Sequence, residues 1–510
     1  MRDMRALNIA FFFSPFFISI LLTWLTLSDP ALSWLNYGVW LTMVLGAYVF
    51  ASFFYAYLRT RRYESRYAGV ASNLKVAAFV TSFNEDPSIV EETLISARSS
   101  LGSRGDVYLL DDSTDPKIAE ELRKFCEANG ITYVHRVNRK GFKAGAINEA
   151  LRKYGEKYDL VAIFDADQRP RATFFDAVLP LFADPSIAFV QIPQYYSETE
   201  GSKIAMGAKH QQEPFLRVIM RGRSGTSAFS LGSGTVYRVS ALRDVGYLDE
   251  SSITEDVATS VKLHSAGWNS IYYDDFLIWY GEPPMDAAAY IQQQSRWAFG
   301  YFQLTGKLLR SKLKFAAFSD YASGLYYWLK EGPLTLIELI APMIFLSLRR
   351  PFMTLDPLVY ALAYFPYFAF SIGLFYLAMR GKGYGIKGYF LHQSIEYLAF
   401  TGITAAFISY ILRKKVPFKV TPKGRGRRSI RAVAPHILIS ILLAISIILG
   451  ALWIIVANGS IRYAIAINIF WAAWPLPFLL YAIYFSLTVK PRPSRAEYVA
   501  PQSKAKLSKY

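Results

Sequence analysis

Long apolar stretches at both ends of the chain are the feature that most limits how it can fold. A helix needs about 20 apolar residues to cross a bilayer. We predict six such spans, at 6–27, 34–57, 333–348, 358–379, 436–457 and 461–487. The middle of the chain, from about Ser72 to Met285, has instead the mixed composition of a soluble domain. The sequence therefore predicts an integral membrane protein with a globular insert.

Basic residues cluster beside these spans and give the predicted orientation. The formal net charge is +17 at pH 7, and an excess of Lys and Arg marks cytoplasmic loops. Both termini and the insert are therefore predicted to lie on the cytoplasmic side of the plasma membrane, with Arg349 and Arg350 as a local exception. Because the charge is explained in this way, we expect no nucleic-acid partner. The single Cys126 excludes an intrachain disulfide and shows no metal-ligand spacing.

The chain divides into seven predicted segments. They are N-terminal transmembrane helices at 1–62, a cytoplasmic domain at 72–285, interfacial helices at 286–330, transmembrane helices at 331–379, an interfacial helix and loop at 386–432, transmembrane helices at 433–489 and a basic tail at 490–510. We place the apolar run 389–412 on the cytoplasmic face, because as a span it would put the basic residues after it outside. Glu338, inside a predicted span, is expected to face a polar path, and Glu331 is placed at the water boundary.

Acidic residues follow the strands predicted in the insert. Short apolar runs alternate with helical patterns there, which predicts an α/β fold with a parallel-type sheet. The predicted strand 160–164 leads into Asp165 and Asp167, which face the same way if the chain stays extended. Two close carboxylates repel unless a cation lies between them, and oxygen ligands suit Mg²⁺ or Mn²⁺. The alternative is a solvated turn. Asp112 follows the predicted strand 106–110, at the sheet edge where ligands of open α/β sheets bind.

A predicted helix start supplies a proton acceptor. Thr254 is placed to N-cap a helix that runs to Ala266, with Gly267 ending it. Asp256 then lies in the first turn, where the helix dipole favours its anionic form. A carboxylate in that form suits general-base chemistry.

A second predicted helix, from about Pro284 to Leu304, presents three binding groups on one face. Gln293, Arg296 and Trp297 fall at i, i+3 and i+4. An Arg fork suits a diphosphate, a Trp ring suits a sugar face and a Gln amide suits hydroxyl groups.

These two motifs resemble those of the processive, membrane-embedded family 2 glycosyltransferases, and of cellulose synthases in particular. Thr254-Glu255-Asp256 matches the family's Thr-Glu-Asp, and the segment 293–297 matches its Gln-x-x-Arg-Trp. The resemblance implies an α/β GT-A-type catalytic domain inserted in an α-helical transmembrane bundle. It also implies an inverting sugar transfer with Asp256, beside Glu255, as the catalytic carboxylate.

The same resemblance suggests roles for residues elsewhere in the chain. Ser82, Phe83, Glu85 and Asp112 are expected to form the uridine pocket, Lys143 to face the nucleotide, and Gly232 and Ser233 to lie beside the acceptor sugar. Two positions depart from the family, because Gly141 stands for the usual His and Leu231 for the usual Cys. The segment 418–423 resembles the gating loop of cellulose synthases, in which Thr421 and Lys423 are expected to close over the diphosphate.

The expected function is polymerisation of a sugar from a UDP-sugar donor, UDP-glucose in the first place, into a β-linked glycan that is exported across the membrane. Asp165 and Asp167 would hold Mg²⁺ or Mn²⁺. The implied partners are the donor, the growing polysaccharide acceptor, membrane lipid and accessory export subunits. The short tail leaves no room for the cyclic-di-GMP-binding domain of bacterial cellulose synthases. Two alternatives stay open, namely a non-processive transferase acting on a lipid carrier and a non-catalytic polysaccharide channel.

Overall fold

The structure is a computed structural model, and it describes residues 2–60, 73–414 and 428–488, apart from residues 198, 200, 201, 282 and 383. The predicted gating-loop residues Thr421 and Lys423 and the basic tail lie outside the described residues. The strands are β1 (Val76–Ser82), β2 (Gly105–Asp111), β3 (Thr132–His135), β4 (Leu160–Asp165), β5 (Gln168–Pro170), β6 (Ile187–Gln191), β7 (Thr235–Arg238), β8 (Asn269–Tyr272) and β9 (Ile278–Tyr280). The α-helices are α1 (Arg2–Thr26), α2 (Ser33–Thr60), α3 (Pro87–Leu101), α4 (Pro116–Ala128), α5 (Phe142–Tyr154), α6 (Phe174–Val178), α7 (Lys203–Pro214), α8 (Arg221–Arg223), α9 (Val239–Asp244), α10 (Glu255–Ser265), α11 (Ala287–Arg310), α12 (Phe315–Leu329), α13 (Thr335–Leu348), α14 (Pro357–Met379), α15 (Gly385–Ile411), α16 (Ile430–Val456), α17 (Ile461–Ala473) and α18 (Leu476–Leu487).

Seven of the strands form one sheet in the order β3-β2-β1-β4-β7-β6-β8. β1 pairs in parallel with both β2 and β4, and β2 pairs in parallel with β3. β7 runs antiparallel to its two neighbours, β4 and β6. The prediction of a parallel-type sheet is therefore wrong at β7. Gly232 and Gly234, both with positive φ, turn the chain just before this strand and reverse its direction.

Alternation along the strands divides the core of the domain into two layers. Val76, Ala78 and Val80 of β1 belong to the cluster on one face of the sheet, whereas Ala77 and Phe79 belong to the cluster on the other. Because β1 is buried on both faces, it is apolar along most of its length. The arrangement fixes the carboxyl ends of β1, β2 and β4 at one edge.

Within the described residues, seven helical segments are long and apolar enough to cross a membrane by length and composition. They are Met4–Thr26, Pro30–Thr60, Phe315–Leu348, Pro357–Met379, Gly385–Ile411, Ile430–Val456 and Ile461–Leu487. The end of the predicted interfacial region 286–330 and the predicted span 333–348 prove to be one continuous helix, Phe315–Leu348. The two are joined because α12 passes into α13 through a π-helical turn, Lys330–Leu334, rather than through a loop.

α15 is the segment that we predict to lie on the cytoplasmic face. It packs along α11 and α7 of the globular part and along α18. Half of its apolar stretch is buried inside the protein. A position against the catalytic domain is in keeping with such burial, and the interfacial placement stays a prediction.

The loops at the far ends of the apolar helices are fastened together. Ser28 Oγ donates a 2.6 Å hydrogen bond to the Pro351 carbonyl, and Leu27 forms an antiparallel bridge with Met353. Arg350 forms an ion pair with Asp29 in the same place. An acidic partner therefore accompanies the arginine that the charge rule leaves unexplained. We call this set of contacts between residues 26–36 and 349–354 the loop clasp.

A buried charge cluster joins the catalytic domain to the apolar helices. α7 continues through a π-helical turn, Phe215–Met220, into α8. Gly222 of α8 lies against the backbone of Ala56 in α2. Asp320 of α12 lies 3.2 Å from Arg59 of α2 and 3.6 Å from Arg223 of α8. These contacts hold this side of the globular domain against the apolar helices.

Candidate active site

Asp256 lies in the first turn of α10, as predicted. Its Oδ1 accepts a 2.8 Å hydrogen bond from the Val257 amide. Thr254 occupies the N-cap position but makes no capping hydrogen bond through its side chain, so that predicted contact is wrong. The side chain packs instead against α11, where a Cβ at Gly300 would lie 2.3 Å from Thr254 Cγ2. The Thr-Glu-Asp segment is thus seated directly on the helix that carries the Gln-Arg-Trp group.

A hydrogen-bond network fixes Asp165 at the end of β4. Its Oδ1 lies 2.5 Å from Lys143 Nζ, and its Oδ2 accepts a 2.7 Å bond from Ser233 Oγ. That hydroxyl in turn accepts 2.9 Å bonds from the side-chain amides of Gln168 and Gln194. Lys143 and Ser233, predicted for different parts of the site, therefore meet on one carboxylate.

Gly232 links this network to Asp256. With φ at +84°, Gly232 adopts a conformation that few other residues accept, and a Cβ there would lie 3.1 Å from Asp256 Oδ2. Ser233, the next residue, holds Asp165. One tight turn therefore sets the positions of both carboxylates.

Asp167 lies in a turn rather than in an extended strand. β4 ends at Asp165, and residues 166–167 turn the chain into β5. The predicted extended geometry of the pair is wrong, although both carboxylates stay at the β4–β5 turn. Gly281, next to β9, approaches so closely that a Cβ there would lie 2.2 Å from Asp167 Oδ2.

Burial controls the ionisation of the catalytic candidates. Burial, with repulsion from Glu255, raises the pKa of Asp256 to about 7. Burial also raises the pKa of Glu255, against the opposing effects of Lys143 and Arg296. For Lys143, burial disfavours the charged form, but Asp165 and the two α10 carboxylates outweigh it and raise the pKa above its usual value. The site therefore pairs a permanent cation with a carboxyl group that titrates near neutral pH.

Gly141 has a local structural reason to be glycine. It is the N-cap residue of α5, with φ at +75°, and a Cβ there would lie 2.7 Å from Glu250 Oε2. A histidine side chain, usual in the family at this position, would overlap Glu250. Lys143 reaches Asp165 without it.

Ser82 and Asp112 lie at adjacent strand ends on the carboxyl edge. Ser82 closes β1 opposite Asp111, and its carbonyl accepts a 3.0 Å hydrogen bond from the Asp112 amide. The buried Ser82 Oγ has no hydrogen-bond partner among the described residues, which leaves it available to a ligand. Phe83 and Glu85 follow in the turn after β1, and both are partly buried.

Sequence reasoning missed two arginines at this end of the site. Arg136 donates from Nε and Nη2 to the Asp112 carboxylate at 2.9 and 2.6 Å. The Arg139 guanidinium lies 3.5 Å from the centroid of the Phe83 ring. Asp112 is therefore paired with a cation, and one face of Phe83 is covered. The basic run 136–140, directly after β3 at the same sheet edge, is the signal that could have indicated them.

α11 carries the predicted Gln-Arg-Trp group over a longer range than predicted, Ala287–Arg310. Gln293 is buried, and its Nε2 donates to the Tyr196 hydroxyl at 3.3 Å. Its Oε1 has no partner within the described part of the chain. Arg296 favours the anionic form of Glu255, and Trp297 lines a large cavity that also reaches Asp256.

That cavity, with a volume of about 660 Å³, extends from the catalytic domain into the apolar helices. Its near end is lined by Asp256, Gln194 and Trp297, and its far end by Pro351 and Leu355, within or next to the loop clasp. We call this cavity the conduit. It connects the candidate base with the opposite end of the helical bundle.

Two glutamates of the helix 315–348 line the conduit. Glu338 does so as predicted. The placement of Glu331 at the water boundary is wrong, because the π-helical turn that contains it faces the conduit, where Glu331 lies 3.1 Å from Lys330 Nζ.

The fold and the site together define a class of protein. A mixed-sheet domain of GT-A type, with carboxylates at its strand ends and in α10, is joined to apolar helices. Residues 73–300 match the family described as "Glycosyltransferase like family 2". These residues form a glycosyltransferase family 2 domain, and the chain as a whole is similar to cellulose synthases. The predicted family 2 glycosyltransferase domain, the resemblance to cellulose synthases and the fold class are confirmed.

Curated relatives match across most of the chain. The chain is 26% identical over 428 residues to the cellulose synthase 1 catalytic subunit [UDP-forming] of Komagataeibacter xylinus, which covers 80% of this chain and 56% of the relative. It is 26% identical over 426 residues to cellulose synthase 2 of Novacetimonas hansenii, covering 80% of this chain and 26% of the relative. It is 31% identical over 261 residues to glucomannan 4-beta-mannosyltransferase 7 of Arabidopsis thaliana, covering 48% and 46%. The chain thus spans only part of the length of these relatives.

A solved structure shares the fold. The mannosyltransferase PcManGT from Pyrobaculum calidifontis, solved in complex with GDP-Man and Mn²⁺, superposes with a TM-score of 0.52 at 18% identity and covers 73% of this chain and 99% of that one. At this identity the likeness concerns the fold alone.

Proposed function

We propose that this protein is a processive, inverting glycosyltransferase that extends a β-linked glycan from a nucleotide-sugar donor and passes the product through the membrane. The observation that carries the proposal is the position of Asp256, at the near end of a conduit that continues between apolar helices. An acceptor lying in the conduit would present its terminal hydroxyl at this carboxylate. UDP-glucose is the proposed donor, and the proposed location is the plasma membrane with the catalytic domain in the cytoplasm.

Asp256 is the proposed general base. It would take the proton of the acceptor hydroxyl as the sugar is transferred, and the anionic form is the one that accepts it. Burial and the charge of Glu255 raise the pKa of Asp256, and Arg296 would stabilise the anionic form of Glu255. Trp297, on the conduit wall, would position the terminal sugar through its ring face.

Asp165 and Asp167 would hold Mg²⁺ or Mn²⁺ together with the donor diphosphate. Proteins bind Mg²⁺ mainly through one or two carboxylates plus substrate phosphates, and two carboxylates at the β4–β5 turn fit this pattern. In the described ranges no group of three or more His, Cys, Asp or Glu side chains could hold a metal by itself, as expected for a site completed by substrate. The ion would neutralise charge on the leaving diphosphate.

The remaining residues would bind the donor and acceptor. Ser82, Phe83, Glu85 and Asp112 would surround the base and ribose, with Lys143 beside the phosphates. Gly232 and Ser233 would border the acceptor. Thr421 and Lys423 would close over the diphosphate and exclude water.

The test is incubation of the full chain with labelled UDP- and GDP-sugars, followed by sizing of the products and digestion with linkage-specific hydrolases. Wild type should make long β-linked chains, and Asp256→Asn should make none while it still binds nucleotide. The matched control is Asp275→Asn, which changes an exposed carboxylate in the turn after β8 and should keep full activity. Polymer made by Asp256→Asn would refute the base assignment, and single sugars on lipid would favour the lipid-carrier alternative.

A second candidate differs only in the donor. Relatives named as glucomannan mannosyltransferases reach 34% identity over 211 residues, which favours inclusion of GDP-mannose. A mannan product from GDP-mannose, with UDP-glucose inert, would establish this candidate instead.

A further inference from the structure

The wall of the conduit beyond the catalytic end carries an unbalanced set of charges. Lys330 and Glu331 lie in the π-helical turn, Glu338 lies two helical turns further on, and His392 and Glu396 project from α15. We call these five residues the charged collar. The collar holds three carboxylates and only one lysine.

Contacts with neighbouring side chains hold the collar in the wall. Glu396 lies 2.9 Å from His392 Nε2 and accepts hydrogen bonds from Gln393 Nε2 at 2.8 Å and from the Tyr327 hydroxyl at 3.3 Å. π-Helical turns inside α-helices are frequent at functional sites, and this one places Lys330 and Glu331 on the lumen. Glu331 and Glu396 are therefore held in position beside whatever occupies the conduit.

Cations elsewhere on the wall do not compensate for these carboxylates. Arg223 also lines the conduit, but it lies 3.6 Å from Asp320 and donates to Ser323 at 3.0 Å. Arg223 is thus neutralised by a partner of its own. Ion pairing likewise sets Lys330 against Glu331 and His392 against Glu396, which leaves Glu338 as the collar carboxylate without an ion-pair partner among the described residues. With Arg223 set against Asp320, the described lining past Asp256 holds three carboxylates against Lys330 and His392.

The rest of the lining is suited to uncharged sugars. Amide groups of Gln194, Gln211, Gln212, Gln294 and Gln393 line the conduit together with aromatic rings. Gln212 Oε1 is buried and finds no hydrogen-bond partner in the described part of the chain. The rings of Tyr364 and Trp471 are part of this lining, and aromatic rings of this kind suit contact with a pyranose. Hydroxyl groups satisfy such a surface, whereas sugar carboxylates would meet three fixed carboxylates in a confined space.

We propose that the charged collar makes the conduit selective for an uncharged glycan and closed to a polyuronate. The substrate class is then a neutral hexose or N-acetylhexosamine, and the donor is not a nucleotide uronate. This inference rests on the proposed function, since it assumes that the conduit holds the product.

Binding of preformed oligosaccharides tests the collar without catalysis. Full-length Asp256→Asn protein in detergent is titrated with cellohexaose and with the same hexasaccharide oxidised at every C6 to the uronate, and tryptophan fluorescence and calorimetry report binding. The two probes differ only in charge and its solvation. Cellohexaose should bind, and the hexauronate should bind at least about tenfold more weakly at low salt. The difference should shrink at about 1 M salt, where charges are screened beyond about 3 Å.

Substitutions in the collar give a second readout. Glu338→Gln combined with Glu396→Gln should raise hexauronate affinity about tenfold and leave cellohexaose affinity unchanged. Glu121→Gln, an exposed glutamate on α4, is the matched control and should change neither. If the double variant does not fold, the test is the salt dependence of hexauronate binding to the Asp256→Asn protein.

Equal affinity for the two probes, no binding of cellohexaose, or discrimination that is insensitive to salt would each overturn the proposal. Because no transfer is measured, failure of the donor panel to yield polymer would refute the proposed function alone. Retained discrimination in that case would still support the collar.

Discussion

Replacing Gly281 by alanine is expected to impair metal binding, although it replaces none of the proposed catalytic side chains. A Cβ at this position would lie 2.2 Å from Asp167 Oδ2, 2.7 Å from Cγ and 3.0 Å from Cβ, whereas ordinary contacts begin at 3.4 Å. Because all three atoms are too close, rotation of the carboxylate cannot relieve the overlap. Asp167 must retreat by about 1 Å, and a displacement of that size at a reacting centre costs up to about 100-fold.

The assay is nucleotide release from the donor as a function of Mn²⁺ concentration. Gly281→Ala should raise the concentration needed for half-maximal rate by about 10- to 100-fold, and the rate should approach that of wild type at saturating metal. Gly306→Ala is the control, since this glycine of α11 has no neighbour within 4 Å of an added Cβ. An unchanged Mn²⁺ dependence in Gly281→Ala would refute the assignment of Asp167 to the metal.

Three further predictions concern ionisation and the packing around the site. Because a raised pKa keeps Asp256 protonated in acid, kcat/KM should rise with pH up to about 7 and then level off; a profile flat from about pH 5 to 8 would contradict this. Ser233→Ala should lower the free energy of unfolding by about 1–3 kcal/mol and weaken metal binding, because it removes a donor to Asp165 and the acceptor of the buried Gln168 amide; an unchanged melting temperature would contradict it. Asp320→Asn should destabilise by about 3–5 kcal/mol, since it leaves buried arginine charge uncompensated. Asp176→Asn, which breaks the exposed ion pair with Arg104, should lower the free energy of unfolding by at most about 1 kcal/mol in the same thermal assay. Equal losses in the two variants would contradict the expected effect of burial.

Local patterns predicted the strand ends and helix starts of the site well. The strands before Asp112 and Asp165 and the first turn that contains Asp256 appear within a residue or two of their predicted bounds, because apolar runs and helix starts are written in neighbouring residues. The turn that contains Asp167 was missed, because residues 168–170 leave the main sheet and pair as β5 with the distant strand β9, and local residues do not encode that contact.

Contacts between distant segments account for the remaining differences. The pairing of Arg136 with Asp112 joins residues 24 apart along the chain, and the basic run 136–140 indicates the arginine but not its partner. Thr254 fits the pattern of a capping residue, but packing against Gly300 determines its side-chain position. Glu331 was misplaced because a π-helical turn changes which residues face inward, and helical periodicity does not contain that shift.

The loop clasp has a consequence for the order in which the molecule assembles. The segment that frames the far opening of the conduit finds its hydrogen-bond partners in the first helical hairpin, for example through the Thr354 amide and the Thr26 carbonyl at 2.8 Å. Because the hairpin is synthesised some 300 residues earlier, its hydrogen-bonding groups are already present when residues 349–354 are synthesised. A chain that lacks the hairpin would keep every proposed catalytic residue and still lack a properly shaped outlet.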